Sequence, residues 1–154
     1  MTCGDNVCLT TVTDSEFVPG TVVLLESFLR HNPWFRGRIV IIHDDLPEPA
    51  RRRLLEFPNL QLQSVAPELK IRVARIAEQH PRLAHKIALF YSIESFNLRA
   101  YARLLKVDSD VMCMRDASSL LDMDGALLCA PDVTFYRNQV RDLDTYSRQD
   151  AAIA

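Results

Sequence analysis

The chain has 154 residues, of which 48% are hydrophobic and 25% are charged, a balance typical of one folded globular domain and not of a disordered segment. Its formal net charge of −2 gives no long-range attraction for nucleic acid, so we expect no nucleic-acid partner. The longest apolar runs fall far short of the roughly 20 residues that cross a bilayer, so we also expect no transmembrane segment.

The N-terminus lacks a basic region followed by an apolar one, so it does not resemble a secretory signal. We therefore expect a reducing compartment and a cytoplasmic location. The four cysteines include no CxxC pair. Cys8 and Cys129 fall in apolar runs, where a thiol usually packs as a small hydrophobe. A zinc site is not expected.

Strand and helix patterns alternate along the first half of the chain. Short runs rich in apolar and β-branched residues predict strands at 7–12, 38–43 and 60–65. The first strand is followed by apolar residues at helical spacing, and this helix ends before Pro33, because proline cannot continue a helix. Pro49 favours the first turn of a second helix.

The second half is less regular. A helix is permitted before Pro81, and residues 83–96 carry a clearer apolar stripe with a helical period. A strand is predicted at 103–107 and a short helix at 116–121, beginning near an Asp or Ser cap. The remaining predictions are an extension of the sheet edge over 111–114, a last strand over 126–130 before Pro131, and no element after Asp132.

Strands that alternate with helices predict an α/β fold, with a mostly parallel sheet flanked by helices. In such sheets, ligands bind beyond the carboxyl ends of the strands. Thr13 and Asp14 follow the first predicted strand, and the segment 108–110 (Asp-Ser-Asp) follows the strand at 103–107. We therefore expect both groups to lie at one edge of the sheet.

Asp108 and Asp110 are the strongest chemical signal in the sequence. In extended backbone, residues two apart point to the same side, so the two carboxylates can converge on one divalent cation. Without a counter-charge, two carboxylates held close together would repel each other and raise a pKa. A solvated turn with two incidental acids is the alternative, because Asp and Ser are common in turns.

The pattern as a whole resembles a known enzyme family. The motifs are 9–14 (Leu-Thr-Thr-Val-Thr-Asp), then Phe17 and Gly20, then Lys86 in a predicted helix, then 106–110 (Lys-Val-Asp-Ser-Asp). Together they are similar to family eight of the glycosyltransferases, which have the GT-A fold and include glycogenin and bacterial galactosyltransferases. The resemblance implies a metal-dependent enzyme that retains the anomeric configuration. Its donor would be a nucleoside-diphosphate sugar, a UDP-sugar in particular, and its acceptor a sugar-containing molecule or a protein.

The resemblance also implies roles for individual residues. Asp108 and Asp110 would hold Mn²⁺ or Mg²⁺, which bridges the donor diphosphate. Phe17 would form an apolar wall, for which a buried residue at the helix start is the alternative. Lys86 would reach the phosphates or the sugar hydroxyls, for which a solvated helix lysine is the alternative. The other implied nucleotide-sugar contacts are Thr11, Thr13, Asp14 and Ser109. No catalytic nucleophile is implied.

The chain departs from the family after the region of resemblance, which covers roughly residues 7–132. Residues 135–138 do not reproduce the family's Phe-Asn-Ser-Gly-like segment. All four histidines precede Asp108, so the family's late His-Gly-Lys motif has no counterpart. We interpret 1–132 as a nucleotide-sugar-binding α/β domain and 133–154 as an incomplete continuation, which makes the chain the donor-binding part of a truncated transferase.

Two other functions are compatible with these residues. A transferase-derived module that binds nucleotide or a partner without turnover would also lack the late motifs, and it is the main alternative. A phosphohydrolase with an Asp-x-Asp nucleophile normally carries the pair after its first strand, followed by Gly-Thr. Here the pair comes after a later strand, and Val111 and Met112 follow Asp110.

Overall fold

A computed structural model describes residues 6–130, which form a four-stranded parallel sheet with flanking helices. The strand order is β3-β2-β1-β4. The α/β fold with a parallel sheet, predicted from the sequence, is confirmed. The four strands also lie where they were predicted, within one residue at each end. They are β1 (Val7–Val12), β2 (Arg38–His43), β3 (Leu60–Ser64) and β4 (Arg103–Lys106).

Helices of very different lengths connect the strands. The three longer ones are α1 (Val18–His31), α2 (Glu48–Leu55) and α3 (Pro67–Gln79). Before β4 come a 3₁₀ helix (Pro81–Lys86), the short α4 (Ile87–Phe90) and a second 3₁₀ helix (Tyr91–Asn97), which together we call the 81–97 segment. A last 3₁₀ helix covers Ser118–Leu121. Within the described part of the chain, none of these helices has the length and apolar character needed to cross a membrane.

The central strands β1 and β2 bury side chains on both faces, which explains their nearly continuous apolar sequences. On one face, Leu9 packs in a core cluster with Phe28 of α1 and Leu54 of α2. On the other face, Val40 packs with Val73 of α3 in a second cluster. Each such side chain contributes about 1.5–3 kcal/mol when fully removed from water. The sheet is therefore a rigid platform whose carboxyl edge carries the loops.

Polar side chains flank both ends of helix α1. Before its start, Asp14 Oδ1 accepts hydrogen bonds from the backbone N–H groups of Glu16 (2.9 Å) and Phe17 (3.0 Å), which close the turn that leads into the helix. At its end, Asn32 Nδ2 donates to the carbonyl oxygen of Phe28 (2.9 Å), which also accepts the backbone N–H of Asn32. The helix stop predicted just before Pro33 is confirmed.

The regular helix predicted over residues 83–96 is wrong. The segment is helical throughout, but two 3₁₀ helices flank a single turn of α-helix. In a 3₁₀ helix, residues three apart share a face, and Tyr91 and Glu94 are both buried while Ile93 is exposed. Glu94 Oε1 accepts the N–H of Ala66 (3.1 Å). This long-range contact favours the tighter winding, and local apolar periodicity does not reveal it.

The sheet-edge extension predicted over 111–114 is also wrong, since the described residues contain no strand after β4. This stretch lies against helix α1 instead, where the backbone N–H of Cys113 donates to Ser27 Oγ (3.0 Å). The short helix predicted at 116–121 is present as the 3₁₀ helix Ser118–Leu121. Asp116 Oδ1 accepts the N–H of Ser118 (2.8 Å), the first residue of this helix, whose N-cap position is Ala117 and not an Asp or Ser.

The chain divides into two units, 1–122 and 123–154, and all the helices and strands described lie in the first. Residues 123–130 of the second unit form neither helix nor strand, so the strand predicted over 126–130 is wrong. Leu127 and Leu128 are exposed, whereas the apolar side chains of the central strands β1 and β2 are buried. The continuation predicted over 133–154 lies outside the described residues, and the boundary at 132 stays a prediction.

Candidate functional site

The strand order creates a crevice between β1 and β4. The chain places β2 and β3 on one side of β1 and then returns to add β4 on the other side. The connections on the two sides of this point diverge, and α/β folds bind ligands in the crevice that results, beyond the carboxyl ends of the strands. The register brings Thr10 of β1 opposite Lys106 of β4, so the residues that follow both strands meet at this edge.

A cavity of about 170 Å³ lies at this edge. Its walls come from the loop after β1, the 81–97 segment, and the end of β4 with the turn that follows it. Apolar and polar residues alternate around it, which suits a ligand with both kinds of surface. The lining residues are Val12, Thr13, Asp14, Phe17, Ala88, Leu89, Ser92, Lys106, Asp108, Ser109 and Asp110.

The loop after β1 is held in place by hydrogen bonds on both sides. The backbone N–H of Thr13 donates to the carbonyl oxygen of Ile42 (3.0 Å), which extends the pairing of β1 with β2 by one residue. The hydroxyl of Thr13 accepts a hydrogen bond from the Thr21 hydroxyl of α1 (2.7 Å). Together with the hydrogen bonds that Asp14 accepts from the turn before α1, these bonds fix the backbone that lines the cavity.

The 108–110 turn continues directly from β4. The N–H of Val107 donates to the carbonyl oxygen of Thr10 (3.0 Å), and the carbonyl oxygen of Asp108 then accepts the N–H of Val111 (3.3 Å). The turn rests on the start of α1, because a Cβ added to Gly20 would lie 2.9 Å from the carbonyl oxygen of Ser109. This close approach sets the position of both aspartates.

Asp108 has a cationic neighbour within the cavity wall. The ammonium of Lys106 forms an ion pair and hydrogen bond with Asp108 Oδ1. Asp110 also lines the cavity and has no ion pair within the described part of the chain. The acid pair therefore comprises one carboxylate with an internal counter-charge and one carboxylate without it.

The donor set of this turn fits a hard divalent cation only in part. Two carboxylates in one cavity wall provide the oxygen ligands that Mn²⁺ and Mg²⁺ prefer. No group of three or more His, Cys, Asp and Glu side chains suited to a metal ion occurs among residues 6–130. A metal here would therefore take its other ligands from water, from phosphate or from groups outside those residues.

A second cavity, of about 260 Å³, adjoins the first and shares Val12, Thr13, Asp14 and Ala88 with it. Asp44, which follows β2, and Tyr91 complete its polar lining. The two cavities form one groove along the carboxyl edge of the sheet, running from the end of β2 to the end of β4.

Asp44 is the centre of a polar cluster in this groove. The Tyr91 hydroxyl donates to Asp44 Oδ2 (3.0 Å), and the Lys70 ammonium pairs with Oδ1. Burial alone would raise the pKa of Asp44, but the bonds from Lys70 and Tyr91 outweigh it and hold the pKa of this carboxyl below its ordinary value. Burial and the bond to Asp44 raise the pKa of Tyr91 to about 12. The cluster ties the 81–97 segment and α3 to the end of β2.

The sequence of this chain matches a known protein family. The model of a family described as "Glycosyl transferase family 8" matches residues 8–149. The chain belongs to glycosyl transferase family 8. The resemblance predicted from the sequence is thereby confirmed. No curated protein matches the chain.

Solved structures share the fold of this family 8 chain. WbbM, described as a bifunctional glycosyltransferase in its apo form, has 18% sequence identity and a TM-score of 0.53, over 78% of this chain and 21% of its own. The galactosyltransferase LgtC, in complex with donor and acceptor sugar analogs, has 18% identity and a TM-score of 0.58, over 76% of this chain and 42% of its own. The predicted GT-A fold is thereby confirmed.

A third structure is core-mannan synthase A (CmsA/Ktr4) from Aspergillus fumigatus in an Mn/GDP form. It has 14% identity and a TM-score of 0.52, over 76% of this chain and 39% of its own. The family 8 chain thus spans less than half the length of each of these structures. Identities this low show the shared fold alone.

The structure brings together most of the site residues predicted for this family 8 chain. Six of them line the first cavity: Thr13, Asp14, Phe17, Asp108, Ser109 and Asp110. Phe17 is 47% exposed, so it is not the buried helix-start residue of the alternative reading. Thr11 is fully buried within β1, and Lys86 is exposed at the end of its 3₁₀ helix. Neither lines one of the two cavities.

Sequence reasoning missed five lining residues of the first cavity: Val12, Ala88, Leu89, Ser92 and Lys106. The sequence could have predicted Lys106, because it lies two residues before Asp108 and residues 106, 108 and 110 share the period of two that places side chains on one side of extended backbone. It could not have predicted the three lining residues of the 81–97 segment. Their place depends on how that segment crosses the sheet, which its own sequence does not specify.

Proposed function

We propose that this chain binds a nucleoside-diphosphate sugar in the groove at the carboxyl edge of the sheet. In this proposal it provides the donor-binding part of a metal-dependent, retaining glycosyltransferase. The observation that carries the proposal is the single cavity lined by both the loop after β1 and the 108–110 turn. Membership of glycosyl transferase family 8 supports the reaction class.

Asp108 and Asp110 are the proposed ligands of Mn²⁺ or Mg²⁺. Bound there, such an ion would act as a Lewis acid that offsets the negative charge on the departing diphosphate. The partial fit of the donor set agrees with a metal that is completed by the nucleotide, since Mg²⁺ commonly takes one or two carboxylates together with substrate phosphates. The solved Mn/GDP form of CmsA/Ktr4 is a precedent within the same fold.

The loop after β1 is the proposed contact for the nucleoside. Asp14 uses Oδ1 for the amides of Glu16 and Phe17, and we propose that Oδ2 accepts a ribose hydroxyl. The exposed ring of Phe17 provides an apolar wall, and Thr13 and Ser109 supply polar contacts. Thr11 would support this loop from within the sheet. A contact between Lys86 and the donor phosphates or sugar stays a prediction.

UDP binding in the presence of Mn²⁺ tests this proposal. The titration compares the wild-type chain with Asp110→Asn, and Asp122→Asn serves as the matched control, because it removes the same charge from an exposed position outside both cavities. We expect Asp110→Asn to weaken Mn²⁺-dependent UDP binding roughly tenfold or more, which corresponds to about 1.4 kcal/mol. Equal affinities in all three proteins would refute the proposal. Stronger binding of GDP than of UDP under the same conditions would refute the choice of UDP as the nucleotide.

A binding module without turnover is the second candidate. The observation that favours it is the small donor set, with no group of three metal-binding side chains in the described part of the chain. Incubation with a UDP-sugar and Mn²⁺ separates the two functions. Release of UDP with transfer of the sugar to water, abolished in Asp110→Asn, supports the transferase, whereas tight binding with the UDP-sugar left intact supports the module.

A further inference from the structure

Lys106 occupies a special position in the proposed donor site. It is the last residue of β4, lies opposite Thr10 in the register, and pairs through its ammonium with Asp108 Oδ1. The ammonium and carboxylate side chains are 38% and 62% exposed, so the pair lies at the cavity surface and is accessible to a ligand. Nothing in the proposed function so far uses this lysine.

The charges of the cavity wall define what Lys106 does there. The wall contains three carboxylates, from Asp14, Asp108 and Asp110, and Lys106 is the one cation among the described lining residues. A diphosphate is itself an anion, and unit charges about 4 Å apart interact by about 1 kcal/mol in water and about 4 kcal/mol near a protein surface. With Lys106 these lining side chains still carry a net charge of −2, so they repel the diphosphate, and Lys106 reduces that repulsion.

Lys106 and a divalent ion compete for the same carboxylate. Asp108 Oδ1 cannot accept the hydrogen bond from the Lys106 ammonium and coordinate a metal equally well at the same time. The ion pair between Lys106 and Asp108 must therefore weaken when a metal binds. The freed ammonium then lies beside the metal, in a wall that also faces the diphosphate. Because lysine is a compact charge on a flexible stem, it is suited to such an exchange of partners.

We propose that Lys106 is a built-in counter-ion of the donor site, with opposite effects on its two ligands. It weakens the binding of a divalent metal to the nucleotide-free site, because it occupies Asp108. It strengthens the binding of a nucleoside diphosphate once a metal occupies Asp108, because the freed ammonium then reduces the repulsion between the wall and the diphosphate. This inference rests on the proposed function, since it requires that the diphosphate binds at the same turn.

Two titrations with Lys106→Met test the inference. The first measures Mn²⁺ binding without nucleotide, and the second measures UDP binding at saturating Mn²⁺. We expect Lys106→Met to tighten Mn²⁺ binding about three- to tenfold and to weaken UDP binding at saturating Mn²⁺ at least about fivefold, as expected for one charge at close range. Lys106→Arg should behave like the wild type in both titrations, because it retains the positive charge.

Arg72→Met is the matched control, since Arg72 is an exposed cation on α3 that lines neither cavity. It should change neither affinity. Lys106→Gln repeats the measurement with a polar side chain if Lys106→Met does not fold. If Lys106 had only a structural role, Lys106→Met would weaken the binding of both Mn²⁺ and UDP, and this result would overturn the inference. No change in either affinity would also overturn it.

The same titrations separate this inference from the proposed function. UDP binding at saturating Mn²⁺ that is unchanged in Lys106→Met would overturn the built-in counter-ion while leaving the proposed function intact. No UDP binding by the wild type at saturating Mn²⁺ would overturn both. UDP binding at saturating Mn²⁺, with the opposite effects of Lys106→Met on the two ligands, would support both.

Discussion

Gly20 is the residue on which the position of the acid pair depends. It lies in the first turn of α1, where any Cβ would come within 2.9 Å of the carbonyl oxygen of Ser109. That oxygen belongs to the backbone, so a larger residue can be accommodated only if the turn itself moves. Because Asp108 and Asp110 flank Ser109, such a movement would shift both proposed metal ligands.

We predict that Gly20→Ala weakens Mn²⁺-dependent UDP binding roughly tenfold, about 1.4 kcal/mol. The change should also destabilise the fold, because overpacking costs about 1–3 kcal/mol while the better helix propensity of alanine returns only about 0.5–1 kcal/mol. Urea unfolding measures the second effect and calorimetric titration the first.

Leu54→Ala is the control for this prediction, since Leu54 is fully buried in α2 and lines neither cavity. It should destabilise the fold by about 2–5 kcal/mol and leave the UDP affinity of the folded protein unchanged. If Gly20→Ala also left that affinity unchanged, the contact between α1 and the 108–110 turn would have no role in binding.

At the residue scale, spacing revealed some site residues and concealed others. Asp108 and Asp110 stand out because charged residues with a period of two follow an apolar strand. Lys106 obeys the same period, but it was read as part of that strand. Thr11 was assigned to the nucleotide because of its neighbours, whereas the alternation of β1 buries its side chain within the sheet. A motif therefore indicates a loop more reliably than it indicates which side chains of the loop are accessible.

At the scale of elements, the strands were predictable and the 81–97 segment was not. Strands β1 and β2 are buried on both faces, and β3 alternates leucine with polar residues. Both patterns depend on burial, which local sequence records. The 81–97 segment is held by contacts to distant residues, including the Tyr91 bond to Asp44 and the Glu94 bond to Ala66. Those partners lie 47 and 28 residues away, so the periodicity of the segment itself could not show where its winding changes.

The Asp44 cluster makes a testable contribution to stability through this segment. We predict that Asp44→Asn lowers the free energy of unfolding by about 1 kcal/mol at pH 7, as expected for a partly exposed charged pair. Folding lowers the pKa of Asp44 from its ordinary value. Its stabilising effect is therefore fully present above the pKa of the unfolded chain and is lost as the pH falls through the lower pKa of the folded state. The difference between wild type and variant should therefore shrink towards pH 3.

Urea unfolding of both proteins at pH 7 and pH 3 checks this prediction. Asp45→Asn is the control, because Asp45 is the exposed neighbour of Asp44 and does not line the groove. It should have little effect at either pH. A difference between wild type and Asp44→Asn that stayed constant between pH 7 and pH 3 would mean that the charge of Asp44 does not stabilise the fold.

At the scale of the whole molecule, the alternation of strands and helices predicted the parallel sheet but not its order. Nothing in the sequence states on which side of β1 the fourth strand inserts, because 38 residues of other structure separate β3 from β4. The choice depends on how the intervening helices cover the sheet. Since β4 pairs with β1, the acid pair and the loop after β1 line one cavity, and the site exists only through this topology.

The central claim is that Mn²⁺ and UDP bind together at the crevice between β1 and β4. Paramagnetic broadening of backbone amide signals by Mn²⁺ tests it directly, with Mg²⁺ and UDP as the diamagnetic reference. We predict that signals from residues 13–17 and 106–110 disappear first, while those of α2 and β3 persist. Broadening centred elsewhere, with the signals of residues 106–110 retained, would contradict the claim.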